Sequence, residues 1–288
     1  MADGEHEHAE TTTQTRTSRE RIESTLDTVV SENRFTIAVV FPAVGAVTLI
    51  ASAEGLLPDP LAFNPLFVLF GVAVMRLPLI SGVLPLIGRR GVIALTVLLA
   101  YTYAIEYVGA TTGWPYGEFS YEVSLGPMLL DTIPFALPLF FIPLVINSYL
   151  LCLLLFGERS LPVRIALISA TVVAVDLVLD PAAVALGFWS FAEGGFYGVP
   201  PSNYAGWVLS AVIATILIEL TFDRHALRAR VENCAYVLDD MVSFVLLWGA
   251  INAFYQAWVP VGIALLFAAS LIKLDRFDFD VRPSLGIR

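Results

Sequence analysis

Eight apolar runs of membrane-spanning length dominate the chain, at about 35–53, 65–87, 91–109, 127–155, 163–187, 204–222, 236–254 and 257–273. A hydrocarbon core about 30 Å thick takes roughly 20 apolar residues in helical form. The runs therefore predict an all-α, polytopic integral membrane protein of about eight transmembrane helices. Composition agrees: 57% of residues are hydrophobic and 15% charged, where a soluble domain carries about a quarter charged residues. The expected organisation is an acidic, disordered N-terminal tail over 1–34, with a short amphipathic helix around Ile22 to Val30. A single transmembrane domain follows over 35–273, and then a C-terminal tail over 274–288.

The connections orient the bundle. Arg16, Arg19, Arg21 and Arg34 precede the first run, and 54–64 has no Lys or Arg. Arg89 and Arg90 follow the second run, and 110–126 has none. Arg159 follows the fourth, and 188–203 has none. Arg224, Arg228 and Arg230 follow the sixth, and Lys273, Arg276, Arg282 and Arg288 close the chain. Cytoplasmic connections carry the basic excess, so both termini are expected in the cytoplasm and the protein in the cell membrane.

Lys273 is the single Lys among 16 basic residues, against 26 acidic ones. An acidic, nearly Lys-free chain points to a high-salt organism and gives no basic patch for nucleic acid. Cys152 and Cys234 form neither a metal spacing nor a disulfide framework. Of three His, His6 and His8 fall in the polar tail. A membrane di-iron site needs His clusters, so no metal is expected.

Polar groups inside the apolar runs are the candidate functional residues, since charge at membrane depth costs ~2.5–3.5 kcal/mol or more. Arg76 lies halfway along the second run, Glu106 one turn from the outer end of the third, and Asp131 early in the fourth. Asp176 and Asp180 share one face of the fifth, four residues apart, and Pro181 follows directly. An ion pair between Arg76 and Asp176 is expected near the midplane. Glu219, Asp239 and Asp240 are expected as solvated flanks or as partners of Arg224 and Arg228. Asn147 and Asn252 are expected to hydrogen-bond between helices.

Two loops rich in Gly and aromatics, ATTGWPYGEFSYEVSLGP at 110–127 and GFWSFAEGGFYGVPPSN at 187–203, fall on the same outer side. Single Trp and Tyr residues at a membrane boundary form an interfacial belt. Two such loops of similar composition suit a lid over a lipid-like substrate instead.

The segments EYVGATTGWPYGEFSY (106–121), LGPMLLDTIP (125–134), DLVLDPAA (176–183) and FWSFAEGGFYGVPPSNYAGW (188–207) resemble the membrane-embedded carotenoid hydratases. The resemblance covers about residues 60–260, and the composition points to the haloarchaeal branch. It implies addition of water to terminal trisubstituted alkenes of a C50 carotenoid, bisanhydrobacterioruberin to bacterioruberin, within the bilayer and without cofactor. Association with other carotenoid-pathway membrane enzymes is a further expectation. Such chemistry needs an acid to protonate the alkene, aromatic faces for the tertiary cation, and a base to activate one water with bulk water excluded. A carboxyl in an apolar pocket can keep its proton at neutral pH and act as donor.

Glu106, Asp180 and Asp176 are the candidate acid and base, with Asp180 and Glu106 as the working set. Arg76, Trp114, Tyr116, Asp131, Trp189, Tyr197, Asn203 and Trp207 are the candidate substrate-binding residues. Three alternatives stay open from sequence. A carotenoid cyclase shares the protonation step. A prenyltransferase would use the Asp pair for Mg²⁺ but would lack basic residues on the same side. A transporter or lipid-binding protein would carry intramembrane charges without chemistry.

Overall fold

The computed structural model describes residues 17–279. Residues 1–16, with His6 and His8, and residues 280–288 lie outside that range. Ser18–Glu32, placed by the sequence reading inside a disordered tail, form helix α1. It opens on a capping box in which Thr17 and Glu20 satisfy each other's backbone N–H groups. Arg19 donates to the Leu84 and Ile87 carbonyls, each at 3.0 Å, so α1 is tied to the bundle.

The fold is helical, with helices α2 (Phe41–Ala53), α3 (Pro65–Val83), α4 (Arg89–Thr112), α5 (Pro138–Phe156), α6 (Leu161–Leu186), α7 (Pro201–Thr221), α8 (Arg224–Asn233), α9 (Asp239–Phe254) and α10 (Trp258–Lys273). A π-helical turn, Thr36–Val40, leads into α2. Among the described residues, six segments are long and apolar enough to cross a membrane: Thr36–Ala53, Pro65–Leu86, Arg89–Thr112, Pro138–Phe156, Leu161–Leu186 and Pro201–Thr221. Helix α10 is apolar but shorter, at 16 residues.

Local chemistry sets the boundaries. Asn64 caps α3, its side chain accepting from the Leu66 and Phe67 amides, with Pro65 at the first helical position. Gly113 and Gly187 end α4 and α6 in the left-handed conformation, at φ 75° and 77°. Helix α6 continues through Pro181 to Leu186.

One expected helix is shortened. The run at 127–155 becomes helical only at Pro138, because Gly126 and Pro127 open a hairpin in which β2 (Met128–Leu129) pairs with β3 (Ile133–Pro134). Asp131 sits exposed at the tip of that hairpin with φ 52°, and not in a helix.

Helices α6 and α9 form the centre. Helix α6 packs on α5, α7, α9 and α10, and α9 on α2, α3, α6 and α10. Helices α3, α4 and α5 close the ring. The core includes Val145, Val172, Val178, Val242 and Ile251, all fully buried. The two Gly/aromatic loops meet at one end of the bundle. There β1 (Phe119–Tyr121) pairs antiparallel with β4 (Trp189–Phe191), in the register Phe119↔Phe191, Ser120↔Ser190, Tyr121↔Trp189.

Candidate active site

The sequences FSY and WSF alternate apolar and polar, and a strand points alternate side chains to opposite faces. Ser120 and Ser190 accordingly lie on the exposed face with Glu122, which accepts from both hydroxyls at 2.7 Å. Phe119, Tyr121, Trp189 and Phe191 turn inward and roof a cavity of about 500 Å³. Its walls come from α2, α3, α4, α5, α6, α7 and α9, and they are mostly apolar, with Thr48, Ser52 and Asn64 as isolated polar residues and a polar cluster beneath the roof.

That cluster is built from three helices. Glu106 projects from α4, Asp180 from α6, and Asn203 from the first turn of α7; all three line the cavity. Because α6 and α7 pack side by side, Asn203 faces both acids of α6. Its Nδ2 donates to Asp176 Oδ2 at 2.8 Å and to Asp180 Oδ2 at 2.5 Å. One amide thus joins the two carboxyl groups. They differ in access: Asp180 lines the cavity, whereas Asp176 lies behind it, fully buried, with no hydrogen-bond partner for Oδ1 among the described residues.

Glu106 accepts a short hydrogen bond from the Tyr121 hydroxyl, so the β1 strand holds the α4 carboxyl in place. Burial pushes the Tyr121 phenol well above its usual pKa, and the charges of Glu106 and Asp180 add to this. Tyr121 therefore stays a donor at any physiological pH.

Aromatic rings complete the site. Tyr116 packs between two glycines; a Cβ on Gly206 would stand 2.4 Å from its ring, and one on Gly109 2.8 Å. Its hydroxyl lies 2.9 Å from Ser210 Oγ, which lies 3.0 Å from the Tyr101 hydroxyl. Trp207 stacks on Phe141, with ring centroids 4.9 Å apart, and on Tyr116 at 6.2 Å. Trp189 meets Tyr121 edge-on at 6.4 Å.

Of the residues named from sequence, Glu106, Asp180, Asn203, Tyr116, Trp189 and Trp207 come together on the cavity, with Asp176 behind them. Four do not. Trp114 is exposed on its loop, at 60%. Tyr197 packs on Phe196 outside the cavity, its hydroxyl 3.5 Å from the Val259 amide. Asp131 stands at its hairpin tip.

Arg76, the fourth, pairs with Asp240 rather than Asp176. It also donates to the Leu139 carbonyl at 3.0 Å, while Asn147 donates to the other Asp240 oxygen at 2.5 Å. Asp239 and Asp240 are thus fully buried rather than solvated flanks, and Asp239 is held by Arg34. Glu219 binds Arg164 and Tyr149 instead of Arg224 or Arg228, and Arg224 pairs with Glu158. A buried cation needs a close counter-charge, and Asp240, across the bundle in α9, supplies it.

Tyr121, Phe141, Phe188 and Trp248 line the cavity without having been named. The FSY and WSF alternation is the one signal that could have found Tyr121. Nothing local in sequence singles out Phe141 or Trp248. As expected, Asn147 and Asn252 bond across helices, Asn252 Nδ2 donating to the Val178 carbonyl at 2.7 Å.

A family model described as carotenoid biosynthesis protein matches residues 63–271. The bisanhydrobacterioruberin hydratase of Haloarcula japonica is 63% identical over 257 residues, covering 88% of each chain. No solved structure matches. The match spans the roof, all three helices of the acid cluster and the central α9, and the chain belongs to the carotenoid biosynthesis protein family.

Proposed function

We propose that this protein is a carotenoid hydratase of the cell membrane, converting bisanhydrobacterioruberin to bacterioruberin by adding water to the terminal alkenes. The observation that carries this reading is the 63% identity, along nearly the whole chain, to a bisanhydrobacterioruberin hydratase. The cavity supports it, because the Glu106 and Asp180 carboxyls stand with the Asn203 amide among aromatic rings.

Asp180 and Glu106 are the acid and base. A protonated carboxyl of the pair delivers H⁺ to the less substituted alkene carbon, the π electrons forming the new C–H bond and leaving a tertiary cation. Trp189, Trp207 and Tyr116 offer ring faces to that cation. Water attacks, and the resulting oxonium gives its extra proton to the other carboxylate. The net change is addition of one H₂O, so the atoms balance without redox and without a cofactor. Asp176, joined to Asp180 through Asn203, is a positioning residue, while Tyr121 orients Glu106. The β1–β4 roof keeps bulk water from the cation.

Eight crossings with both termini in the cytoplasm complete the reading. The described arginine-rich connections then face inward and the roofed site outward, with other carotenoid-pathway enzymes as neighbours in the bilayer. The test is the pigment profile of a deletion strain carrying Asp180→Asn or Glu106→Gln at equal protein level. General acid–base groups contribute about 10²–10⁴-fold, so each variant should accumulate precursor lighter by whole water molecules. Normal bacterioruberin in both would overturn the assignment.

A further inference from the structure

The carboxyl groups of the cavity lie at one end. Away from Glu106, Asp180 and Asn203 it runs out between α2 and α3, lined there by Val44 and Thr48 of α2 and by Phe67, Phe70 and Gly71 of α3. Val44, Phe67 and Phe70 are 56%, 61% and 62% exposed, although they belong to two segments apolar enough to cross a membrane. Phe41 and Phe70 meet across the gap, with ring centroids 6.1 Å apart. An opening flanked by such residues faces lipid chains.

We infer that this cleft is a lateral portal for a long acyclic isoprenoid hydrocarbon. The reacting end seats against Asp180 and Glu106, the rest of the chain lies between α2, α3 and the lipid, and Gly71 keeps the passage open. The inference rests on the hydratase reading and adds the route and the determinant of chain access. A cavity of about 500 Å³ lies within the ~300–1,000 Å³ that suits a drug-sized ligand. It takes one end of a C50 chain and leaves the remainder outside. Exposing that remainder to water is costly in proportion to its apolar area, so entry from the aqueous side past the roof is disfavoured and entry from the bilayer is not.

Gly71 is the second strand of the argument. A glycine inside a helix is destabilising relative to Ala, and helices commonly keep one where a neighbour presses close or φ is positive. Neither holds here: its backbone is ordinary helix, and a Cβ at Gly71 would meet nothing within 4 Å. Gly45, across the gap, does pack, its Cβ position 3.3 Å from Leu247. Unlike Gly262 of α10, which is equally free of neighbours, Gly71 lines the cavity, so a side chain there would fill space in the portal.

The experiment is a size series, Gly71→Ala, Gly71→Leu and Gly71→Phe, in the deletion strain and in isolated membranes. Gly262→Phe on α10, where an added Cβ also meets nothing within 4 Å, is the control. The precursor-to-product ratio should climb with side-chain size, reaching about tenfold or more for Phe, the scale on which methylenes discriminate in apolar sites. The expected split is a raised KM with kcat retained, an unchanged melting temperature, and a control that behaves as wild type. Gly71→Phe hydrating as well as Gly262→Phe, or losing kcat at constant KM, overturns the portal and leaves the reaction standing. If Gly71→Phe melts early, Ala and Leu decide, and an unmoved KM in both overturns the portal. A wild-type chain that leaves the precursor untouched overturns the reaction, and the portal falls with it.

Discussion

Tyr121 joins the roof to the chemistry, because its hydroxyl is the group that fixes the Glu106 carboxyl. A buried carboxyl that loses one hydrogen-bond donor loses about 1–3 kcal/mol of interaction. Tyr121→Phe keeps the ring, its contact with Trp189 and the strand, so the loss should fall on the reaction alone. The expected result is a drop in kcat between about fivefold and about a hundredfold, with KM and melting temperature unchanged. A melting temperature that falls together with KM would reassign Tyr121 to holding the fold.

At this scale the sequence reading succeeds where spacing carries the information. Asp176 and Asp180, four apart in an apolar helix, are legible as a pair, and their division into a cavity-facing and a rear carboxyl follows from one turn of α6. Trp114 and Tyr197 share the composition of the lining residues, yet they point away. Composition places a ring in a loop; the β1–β4 register turns Phe119, Tyr121, Trp189 and Phe191 inward, and Trp114 and Tyr197 lie outside those strands.

Among the elements, Arg76 on α3, Asn147 on α5 and Asp240 on α9 tie three helices together at one buried point. Removing the cation alone leaves Asp240 buried without its counter-charge, which costs about 3–5 kcal/mol. Arg76→Met should therefore lower the melting temperature sharply, while the double variant Arg76→Met/Asp240→Asn should recover most of the loss. Thermal denaturation of the purified single and double variants measures this. A double variant no more stable than Arg76→Met would show that the pair does not couple the helices.

The partner choice illustrates what one-dimensional reading lacks. Arg76 and Asp240 are 164 residues apart, and Asp240 stands at a helix start, where acids are ordinarily solvated. Burial of that start comes from α9 being central, a property of the whole packing. The same limit applies to 127–137, where apolar residues read as helix but Gly126 and Pro127 turn the chain into a hairpin.

Across the described residues, basic charge and chemistry lie at opposite ends. The roofed site, with Glu106, Asp180 and the β1–β4 pair, occupies the end whose connections carry no Lys or Arg. Arg89, Arg159, Arg224, Arg228 and Arg230 crowd the other. Basic connections remain on the cytoplasmic side during insertion, so the site should open toward the outer half of the bilayer. Both native cysteines, Cys152 and Cys234, are buried, which makes the chain suited to single-cysteine labelling. Glu193 on the β4 loop and His225 at the start of α8 are both exposed. A membrane-impermeant maleimide applied to intact cells should label Glu193→Cys and leave His225→Cys unmodified until the cells are lysed. The reverse pattern would invert the topology, and the proposed site would then face the cytoplasmic leaflet.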